Sequence, residues 1–271
     1  MQTVLWGRDH TELGEVAIHA VSDDVACAIT RGLRRKAYRY VDPNEDTVAA
    51  VVGPRGTLLV VADGHNGAEA ADAAVTTVLE RLGDDPPPAD LSDAALVELF
   101  SVANDAVLHA TASLRPPNAG SRTTLTMALV AAPANRPSVP RRLQWASMGD
   151  SALIIAVAGN GEELTRPQHQ FVGHPMSVPE VAGKLQRGLG EIPADAWVVV
   201  VSDGFTNFVG PDRASRVVAD IVATATEPAT AARAIVDRAG AMGAGDNVAV
   251  AVAAPIRLIL PEPPRRTGGR L

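Results

Sequence analysis

Two apolar segments that each end in Asp-Gly constrain this chain more than any other feature of its sequence. They are Leu-Leu-Val-Val-Ala-Asp-Gly at residues 58–64 and Val-Val-Val-Val-Ser-Asp-Gly at residues 198–204. Two further acidic motifs, at residues 44–46 and 245–247, lie beside other apolar runs. A buried carboxylate is costly unless a partner neutralises it. Four such positions therefore predict a site for a hard divalent cation, which prefers oxygen ligands.

Length and charge limit the alternatives. With 271 residues, 46% of them hydrophobic, the chain can bury a sizeable core. We predict one domain over residues 1–255, followed by a poorly ordered tail rich in Pro and Arg over residues 256–271. The net charge of −7 argues against a nucleic-acid-binding surface, which is normally basic.

Targeting signals give a default location. The first twenty residues have neither the basic start nor the apolar run of a signal peptide. No uncharged apolar stretch is long enough to span a bilayer. The single cysteine, Cys27, cannot form an internal disulfide and is expected to be a small core residue. The sequence thus predicts a cytoplasmic protein that contacts neither membranes nor nucleic acid.

The order of the predicted elements is strands, two helices, strands, two helices and a strand, with one short helix in a mostly irregular stretch over residues 165–196. This order favours an α+β fold in which helix pairs cover antiparallel sheets. The predicted strands are residues 16–22, 47–52, 57–62, 124–131, 143–147, 152–158, 197–202 and 247–253. The predicted helices are residues 68–82, 93–115, 179–187, 212–224 and 229–241.

Each acidic motif is ordinary when taken singly. An Asp-Gly pair after a strand is most often a turn that uses the positive φ open to glycine. Their order along the chain carries more information, because six short motifs follow one another with helix pairs between them. The motifs are Asn44-Glu45-Asp46, residues 61–67 (Val-Ala-Asp-Gly-His-Asn-Gly), Thr123-Thr124-Leu125, Gly149-Asp150-Ser151, Ser202-Asp203-Gly204 and Gly245-Asp246-Asn247.

In these motifs the chain resembles the metal-dependent protein serine/threonine phosphatases of type 2C, the PPM type. The resemblance implies a four-layer αββα sandwich of two antiparallel β-sheets flanked by helix pairs. It also implies two Mn²⁺ or Mg²⁺ ions at one end of the sandwich. The metal ligands implied by the matched motifs are Glu45, Asp63, the carbonyl of Gly64, Asp203 and Asp246.

The same resemblance assigns catalytic roles to neighbouring side chains. Asp63 would bridge the two ions, Asp46 would orient a ligand or a water, and His65 would donate a proton to the leaving alkoxide. The substrate phosphate would be held by Arg39, although it stands further from Glu45 than the family spacing requires. Arg34 and Arg35 are the other candidates.

Departures from the family pattern affect the borders of the site. Arg122 stands where a second glycine is usual, and Asn118 and Ala119 stand where some members have an aspartate for a third metal. Gln168-His169 replaces the common Asp-His in the region that borders the substrate. None of these changes removes a predicted ligand of the first two ions.

The function predicted from this resemblance is hydrolysis of phosphoserine and phosphothreonine by a water that two metal ions activate. The expected partner is a phosphorylated protein, such as the target of a Hanks-type kinase. Two alternatives stay open: a catalytically weak type 2C-like module that binds or senses a partner, and a hydrolase of small phosphate esters. A phosphotransferase is disfavoured, because the chain has neither a Gly-rich phosphate loop nor the catalytic motifs of protein kinases.

Overall fold

The computed structural model describes residues 1–36, 41–132 and 139–255. Its strands form two sheets in which every pair of neighbours is antiparallel. The strands are β1 (Gln2–Trp6), β2 (Val16–Ser22), β3 (Val25–Thr30), β4 (Asp46–Val52), β5 (Gly56–His65), β6 (Arg122–Thr123), β7 (Leu125–Ala131), β8 (Arg141–Met148), β9 (Ala152–Val157), β10 (Asn160–Glu163), β11 (Gln186–Ile192), β12 (Trp197–Val201) and β13 (Val248–Ala253).

Sheet I has the strand order β1-β4-β5-β7-β8-β11, with β6 paired to the end of β5, and sheet II has the order β10-β9-β12-β13-β3-β2. The helices are α1 (Glu69–Leu82), α2 (Asp93–Thr111), α3 (Val178–Lys184), α4 (Asp203–Val209), α5 (Ala214–Thr224) and α6 (Pro228–Ala241). None of the helices in the described part of the chain combines the length and the apolar character that crossing a bilayer requires.

Alternation of side chains along the central strands builds three apolar layers. In β5, Leu58 and Val60 pack under α1 and α2, whereas Leu59 and Val61 face sheet II. In β13, Val250 faces α5 and α6 while its neighbour Ala251 faces sheet I. Strands buried on both faces need apolar residues at every position, which explains why these segments lack a polar alternation. The layers form an αββα sandwich, and the predicted α+β fold class is confirmed.

The helices follow from local signals as well as from packing. Ser92 caps α2, because its hydroxyl oxygen accepts a hydrogen bond from the amide of Ala95. Leu96, Phe100 and Ala103 recur at helical spacing and are buried against sheet I. The boundaries predicted for α1, α5 and α6 differ from the observed ones by one or two residues.

Several elements differ from the sequence-based expectation. The predicted helix at 179–187 is the shorter α3, and the stretch after it, expected to be irregular, is the edge strand β11. The strands β1, β3, β6 and β10 were not predicted, and neither was α4, which begins with an Asp-Gly pair that is typical of a turn. The expected tail over residues 256–271 lies outside the described residues, and the domain boundary at 255 stays a prediction.

Candidate functional site

The predicted acidic positions meet at one end of the sandwich, at the ends of strands from both sheets. Asp46 begins β4 and stands directly opposite Asp63 of β5 in the strand register. Asp203 is the first residue of α4, immediately after β12, and Asp246 precedes β13. Contacts between these groups, described below, join residues that are about two hundred positions apart in the sequence.

Two glycines allow the backbones of these segments to approach each other. A Cβ on Gly64 would lie 2.4 Å from the carbonyl oxygen of Glu45, and one on Gly204 would lie 1.8 Å from that of Asn247. Neither glycine has a positive φ. The Asp-Gly pairs are therefore not the turns that single-motif statistics suggest; the glycines are required because a neighbouring backbone occupies the space of a side chain.

The backbone of Asp63 is fixed by the two threonines of the third motif. The Oγ1 of Thr124 accepts a hydrogen bond from the Asp63 amide at 2.9 Å, and the Thr123 hydroxyl donates to the Asp63 carbonyl at 2.9 Å. Both threonines are completely buried. The two threonines therefore set the position from which the Asp63 carboxylate projects.

Ser202 connects the two sheets at the site. Its hydroxyl donates to Oδ2 of Asp46 at 2.8 Å and accepts a hydrogen bond from the amide of Ala249 at 2.9 Å. Asp46, Ser202 and β13 are thereby held together without a direct backbone ladder between the sheets. The sequence motif contained Ser202, but its role could not be deduced from the sequence.

Asn247 performs a similar function for the segment that carries Glu45. Its Oδ1 accepts the Glu45 amide at 3.0 Å, and its Nδ2 donates to the carbonyls of Arg31 and Pro43 at 3.1 and 3.0 Å. The side chain is buried and all of these groups are paired. Asn247 therefore positions Glu45 against sheet II, a role that its place in the Gly-Asp-Asn motif did not reveal.

The four aspartates of this cluster repel one another in a buried environment. Burial raises the pKa of Asp63 well above its ordinary value, and the charges of Asp46, Asp203 and Asp246 raise it further. Burial likewise raises the pKa of Asp46 to about 8 and that of Asp203 above its ordinary value. The charge of Asp246 adds to the effect of burial on Asp203, so neighbouring carboxylates raise the pKa of both Asp63 and Asp203.

Glu45 has a different environment. Its Oε1 accepts the backbone amides of Gly67, Val41 and Asp42 at 2.7, 3.3 and 3.4 Å. Its Oε2 lies 3.3 Å from the ammonium of Lys36, which is also 2.9 Å from Oδ1 of Asp246. The side chain of Lys36 is only 4% exposed. Burial alone would lower the pKa of Lys36, but the charges of Asp246, Asp63 and Asp46 outweigh burial and raise it.

Across the described ranges, no three side chains of the His, Cys, Asp or Glu type form a ready-made set of metal ligands. The contacts explain why. The ammonium of Lys36 lies between Glu45 and Asp246 and contacts both carboxylates. Carboxylate oxygens are the ligands that Mn²⁺ and Mg²⁺ prefer, so Asp63, Asp203 and Asp246 fit the chemistry of either ion.

His65 lies at the end of β5, two residues after Asp63. Its ring packs edge-on against Phe171 with the centroids 4.7 Å apart, and Arg122, its cross-strand neighbour, stacks over the same Phe171 ring at 5.3 Å. Within the described residues the buried Nε2 has no hydrogen-bond partner. Burial lowers the pKa of His65 to about 4, and the positive charges of Arg122 and Lys36 contribute to the shift.

Asp150 lies at the border of the same site. Burial raises its pKa to about 6, and Asp203 and Asp246 add to the effect. It follows Gly149, whose φ of +119° forms the tight turn that the sequence predicted between two strands. The next residue, Ser151, shares a hydrogen bond with Thr124 at 2.8 Å. The motif thus supports the segment that holds Asp63.

The predicted phosphate-binding arginine, Arg39, falls outside the described residues. Arg34 and Arg35, the other candidates, are exposed. Within this basic segment, Lys36 contacts the carboxylates of Glu45 and Asp246. No sequence motif indicated this residue. Spacing could not identify it, because its two partners come from distant parts of the chain.

Comparison with known proteins defines the family. A family model described as protein phosphatase 2C matches residues 35–237, which is more than half of the chain. This chain belongs to the protein phosphatase 2C family. A search of curated protein sequences returned no match. Membership of the protein phosphatase 2C family supports a metal-dependent phosphatase.

Solved structures agree in fold. The Mycobacterium tuberculosis serine/threonine phosphatase PstP/Ppp is 24% identical, with a TM-score of 0.62 over 85% of this chain and 97% of that one. The catalytic domain of PstP in complex with two manganese ions is 23% identical, with a TM-score of 0.64 over 89% and 99%. MsPP from Mycobacterium smegmatis, in complex with cacodylate, is 21% identical, with a TM-score of 0.59 over 85% and 97%. These relatives share the protein phosphatase 2C fold with this chain.

Proposed function

We propose that this protein hydrolyses phosphoserine and phosphothreonine esters in proteins, and that a divalent cation held by Asp63, Asp203 and Asp246 is required. One observation carries the proposal. Carboxylates from both sheets converge at one end of a protein phosphatase 2C fold: Asp46 stands opposite Asp63, the hydroxyl beside Asp203 donates to Asp46, and one buried ammonium contacts both Glu45 and Asp246.

The three solved relatives are serine/threonine phosphatases by name, and one of these structures contains two manganese ions. These properties support Mn²⁺ or Mg²⁺ as the cation and a phosphorylated protein as the substrate of this chain. When bound, such a cation would neutralise phosphoryl oxygens and supply a water that is deprotonated near neutral pH. For the second ion expected from the resemblance, Glu45 and the carbonyl of Gly64 would be the ligands, together with Asp63.

The chain's own groups would orient the reaction. Ser202 keeps the Asp46 carboxylate directed across the junction of the sheets, where it can accept a proton or a hydrogen bond from a water. Thr123 and Thr124 fix the strand that carries Asp63. These contacts are made before any substrate arrives, so the donors and acceptors of the site are preorganised.

His65 would protonate the departing serine or threonine oxygen. The unpartnered Nε2 and the edge-on contact with Phe171 support this role, because the ring is held while one nitrogen stays available. With a pKa of about 4 the ring is neutral at pH 7. A phosphate dianion beside the imidazole would favour its charged form, and substrate binding would therefore prepare the proton donor.

Substrate phosphate needs a cationic contact as well. Arg39 remains a candidate from the resemblance, and Arg122 is a second one. Arg122 pairs with His65 across β5 and β6, so its guanidinium projects from the strand next to the proposed proton donor. A planar guanidinium matches two phosphate oxygens at once.

The test is hydrolysis of p-nitrophenyl phosphate and of a phosphoserine peptide, with Mn²⁺ and with a chelator. The wild type should be stimulated by Mn²⁺ and inactive with chelator, and Asp203→Asn should lose the stimulated rate. Asp220→Asn makes the same chemical change at an exposed position of α5 and should behave as the wild type.

Three results would contradict the proposed function or part of it. Absence of any metal-stimulated rate would favour the binding or sensing module. Turnover of small esters without turnover of the phosphopeptide would favour a small-ester hydrolase. Equal rates for Asp203→Asn and the wild type would remove Asp203 from the mechanism.

A further inference from the structure

A single phenylalanine contacts both of the side chains that the proposed function places beside the leaving oxygen and the phosphate. The ring of His65 packs edge-on against Phe171 with the centroids 4.7 Å apart, and the guanidinium of Arg122 stacks over the same ring at 5.3 Å. His65 and Arg122 are cross-strand neighbours in β5 and β6. The proposed proton donor and a proposed phosphate contact therefore share one aromatic neighbour, which comes from a distant part of the chain.

The segment that carries Phe171 is fixed to the strand that carries Arg122. Val172 and Thr123 form an antiparallel bridge with two backbone hydrogen bonds, each of 2.9 Å, and both residues are completely buried. This pair directly follows Phe171 in one segment and Arg122 in the other. Moving the two side chains apart would therefore require breaking a buried pair of hydrogen bonds.

Asn104 of α2 holds the same segment from another side. Its Oδ1 accepts a hydrogen bond from the amide of Gly173 at 2.8 Å, and its Nδ2 donates to the carbonyl of His174 at 3.0 Å. Asn104 is almost completely buried, and a buried polar group without a partner is costly. The side chain of Asn104 therefore fixes the backbone just after Phe171.

Gly173 permits the close approach of this segment to β6. Its φ is +106°, and a Cβ at this position would lie 2.8 Å from Cγ1 of Val107 and 3.1 Å from Cα of Arg122. A residue with a side chain would be strained in this conformation and would push the segment away from the strand. Part of the stretch that the sequence predicted to be mostly irregular is thus built to keep Phe171 beside His65 and Arg122.

We propose that Phe171 is a positioning residue, whose ring orients the imidazole of His65 toward the leaving oxygen and holds the guanidinium of Arg122 beside it for the substrate phosphate. The inference rests on the proposed function, because Phe171 acts through the two groups named there. Edge-to-face packing fixes the relative orientation of two rings, and the face of an aromatic ring attracts a guanidinium. Stacking uses the face of the guanidinium, so the N–H groups in its plane can still bind phosphate.

The first test compares Phe171→Leu, which removes the ring, with Phe171→Tyr, which keeps it. With Mn²⁺ and a phosphoserine peptide, Phe171→Leu should lower kcat by about tenfold, less than complete loss of a general acid, because the imidazole is still present. Its KM should rise by about fivefold, as expected for the loss of a cation–π contact to Arg122. Phe171→Tyr should retain both values. The kcat of Phe171→Leu for p-nitrophenyl phosphate should change little, since nitrophenolate departs without a proton.

Two further variants guard against a general loss of stability. Trp145→Leu replaces another half-buried aromatic ring by leucine, beside Gly188 of β11, and should retain the wild-type kcat and KM. Phe171→Met fills a similar volume without a ring, should show the same losses as Phe171→Leu, and serves in its place if that variant does not fold. Losses of the same size in Phe171→Tyr or in Trp145→Leu would overturn the inference.

Double-mutant cycles separate positioning from an independent effect. If Phe171 acts through His65, Phe171→Leu should cause no further loss of kcat on the phosphoserine peptide when His65→Ala is already present. The increase in KM should likewise disappear in an Arg122→Ala background. Full losses in both backgrounds would show that the ring does not act through these two groups.

Binding of inorganic phosphate gives a readout that needs no turnover. In a calorimetric titration with MgCl₂ present, Phe171→Leu should bind phosphate about fivefold more weakly than the wild type. The same dependence in a wild type without metal-stimulated turnover would refute the proposed function and support the positioning of Arg122. Metal-stimulated turnover with unchanged kcat, KM and phosphate affinity in Phe171→Leu would refute the inference alone. A wild type that neither binds phosphate nor hydrolyses substrate would refute both.

Discussion

The acidic site contains two regions that meet the same physical problem differently. On the lysine side, formed by Glu45 and Lys36, a buried carboxylate is matched by an ammonium and three backbone amides. On the aspartate side, formed by Asp63 and Asp203, burial and neighbouring carboxylates raise the pKa of both side chains. Asp246 lies between them and contacts Lys36.

The contrast between the lysine side and the aspartate side indicates where a cation from solution is needed. Buried charge is tolerated when opposite charge and hydrogen bonds compensate for lost hydration. The lysine side satisfies that condition with groups of the chain, so adding a metal there would require displacing Lys36. The aspartate side does not, and a divalent ion would relieve its repulsion. The comparison predicts that substitutions on the two sides have opposite consequences for metal binding and for the stability of the metal-free protein.

The largest effect is expected on the aspartate side. Asp63→Asn should remove Mn²⁺ binding and lower the Mn²⁺-stimulated rate by well over the ~10–100-fold that is typical of substituting a group behind a metal ligand. The metal-free variant should be at least as stable as the wild type in urea, because it no longer buries a repelled carboxyl group. Retained Mn²⁺ binding, or a marked loss of stability in the presence of chelator, would contradict the proposed difference between the two sides.

The lysine side should respond in the opposite way. Lys36→Met leaves Glu45 buried without its cation, and removing one partner of a buried pair typically costs about 3–5 kcal/mol. Urea unfolding in the presence of chelator should show a loss of this order, and Mn²⁺ should restore more stability to the variant than it adds to the wild type. Lys184→Met is the control. An unchanged unfolding midpoint for Lys36→Met would mean that the ion pair contributes nothing.

A smaller and more selective effect is expected at His65. His65→Ala should lower turnover of a phosphoserine peptide by about 10²-fold, the lower end for loss of a general acid, because the serine alkoxide is a poor leaving group. Turnover of p-nitrophenyl phosphate should fall much less, since nitrophenolate departs without a proton. Equal losses on the two substrates would argue for a structural role beside Phe171.

The smallest effect is a change in how stability depends on pH. The pKa of Asp46 is raised from 3.8 to about 8 in the folded protein, so between these values the folded state holds a proton that the unfolded state has released. The free energy of unfolding contributed by this group therefore falls as pH rises through that window. In chelator, the wild type should lose stability with rising pH more steeply than Asp46→Asn. A steeper loss in the variant would contradict the burial of Asp46 beside uncompensated charge.

Much of the fold was predictable because its strands and helices carry local signals. The hairpin of β4 and β5, the cap at Ser92 and the apolar strand β13 all follow from patterns within a few residues. The strand β11 was missed because Gln186–Ile192 contains two glycines and three polar residues, and its place at a sheet edge depends on pairing with β8. The helix α4 was missed because Asp203-Gly204 resembles a turn, whereas Gly204 is needed for its contact with the carbonyl of Asn247.

The acidic positions of the site could be predicted from motif order, since each lies beside a recognisable strand. What could not be predicted is which charged side chains pair with each other in the folded protein. Lys36 stands among several basic residues, and only the folded chain brings it to Glu45 and to Asp246, which is 210 positions away. The structural roles of Ser202 and Asn247 likewise depend on contacts between the two sheets.

The most direct test of the account is anomalous diffraction at the manganese edge from crystals grown with MnCl₂. A strong anomalous peak bounded by Asp63, Asp203 and Asp246 is the expected result. Absence of manganese at these three aspartates would contradict the claim that this acidic cluster is a cation site.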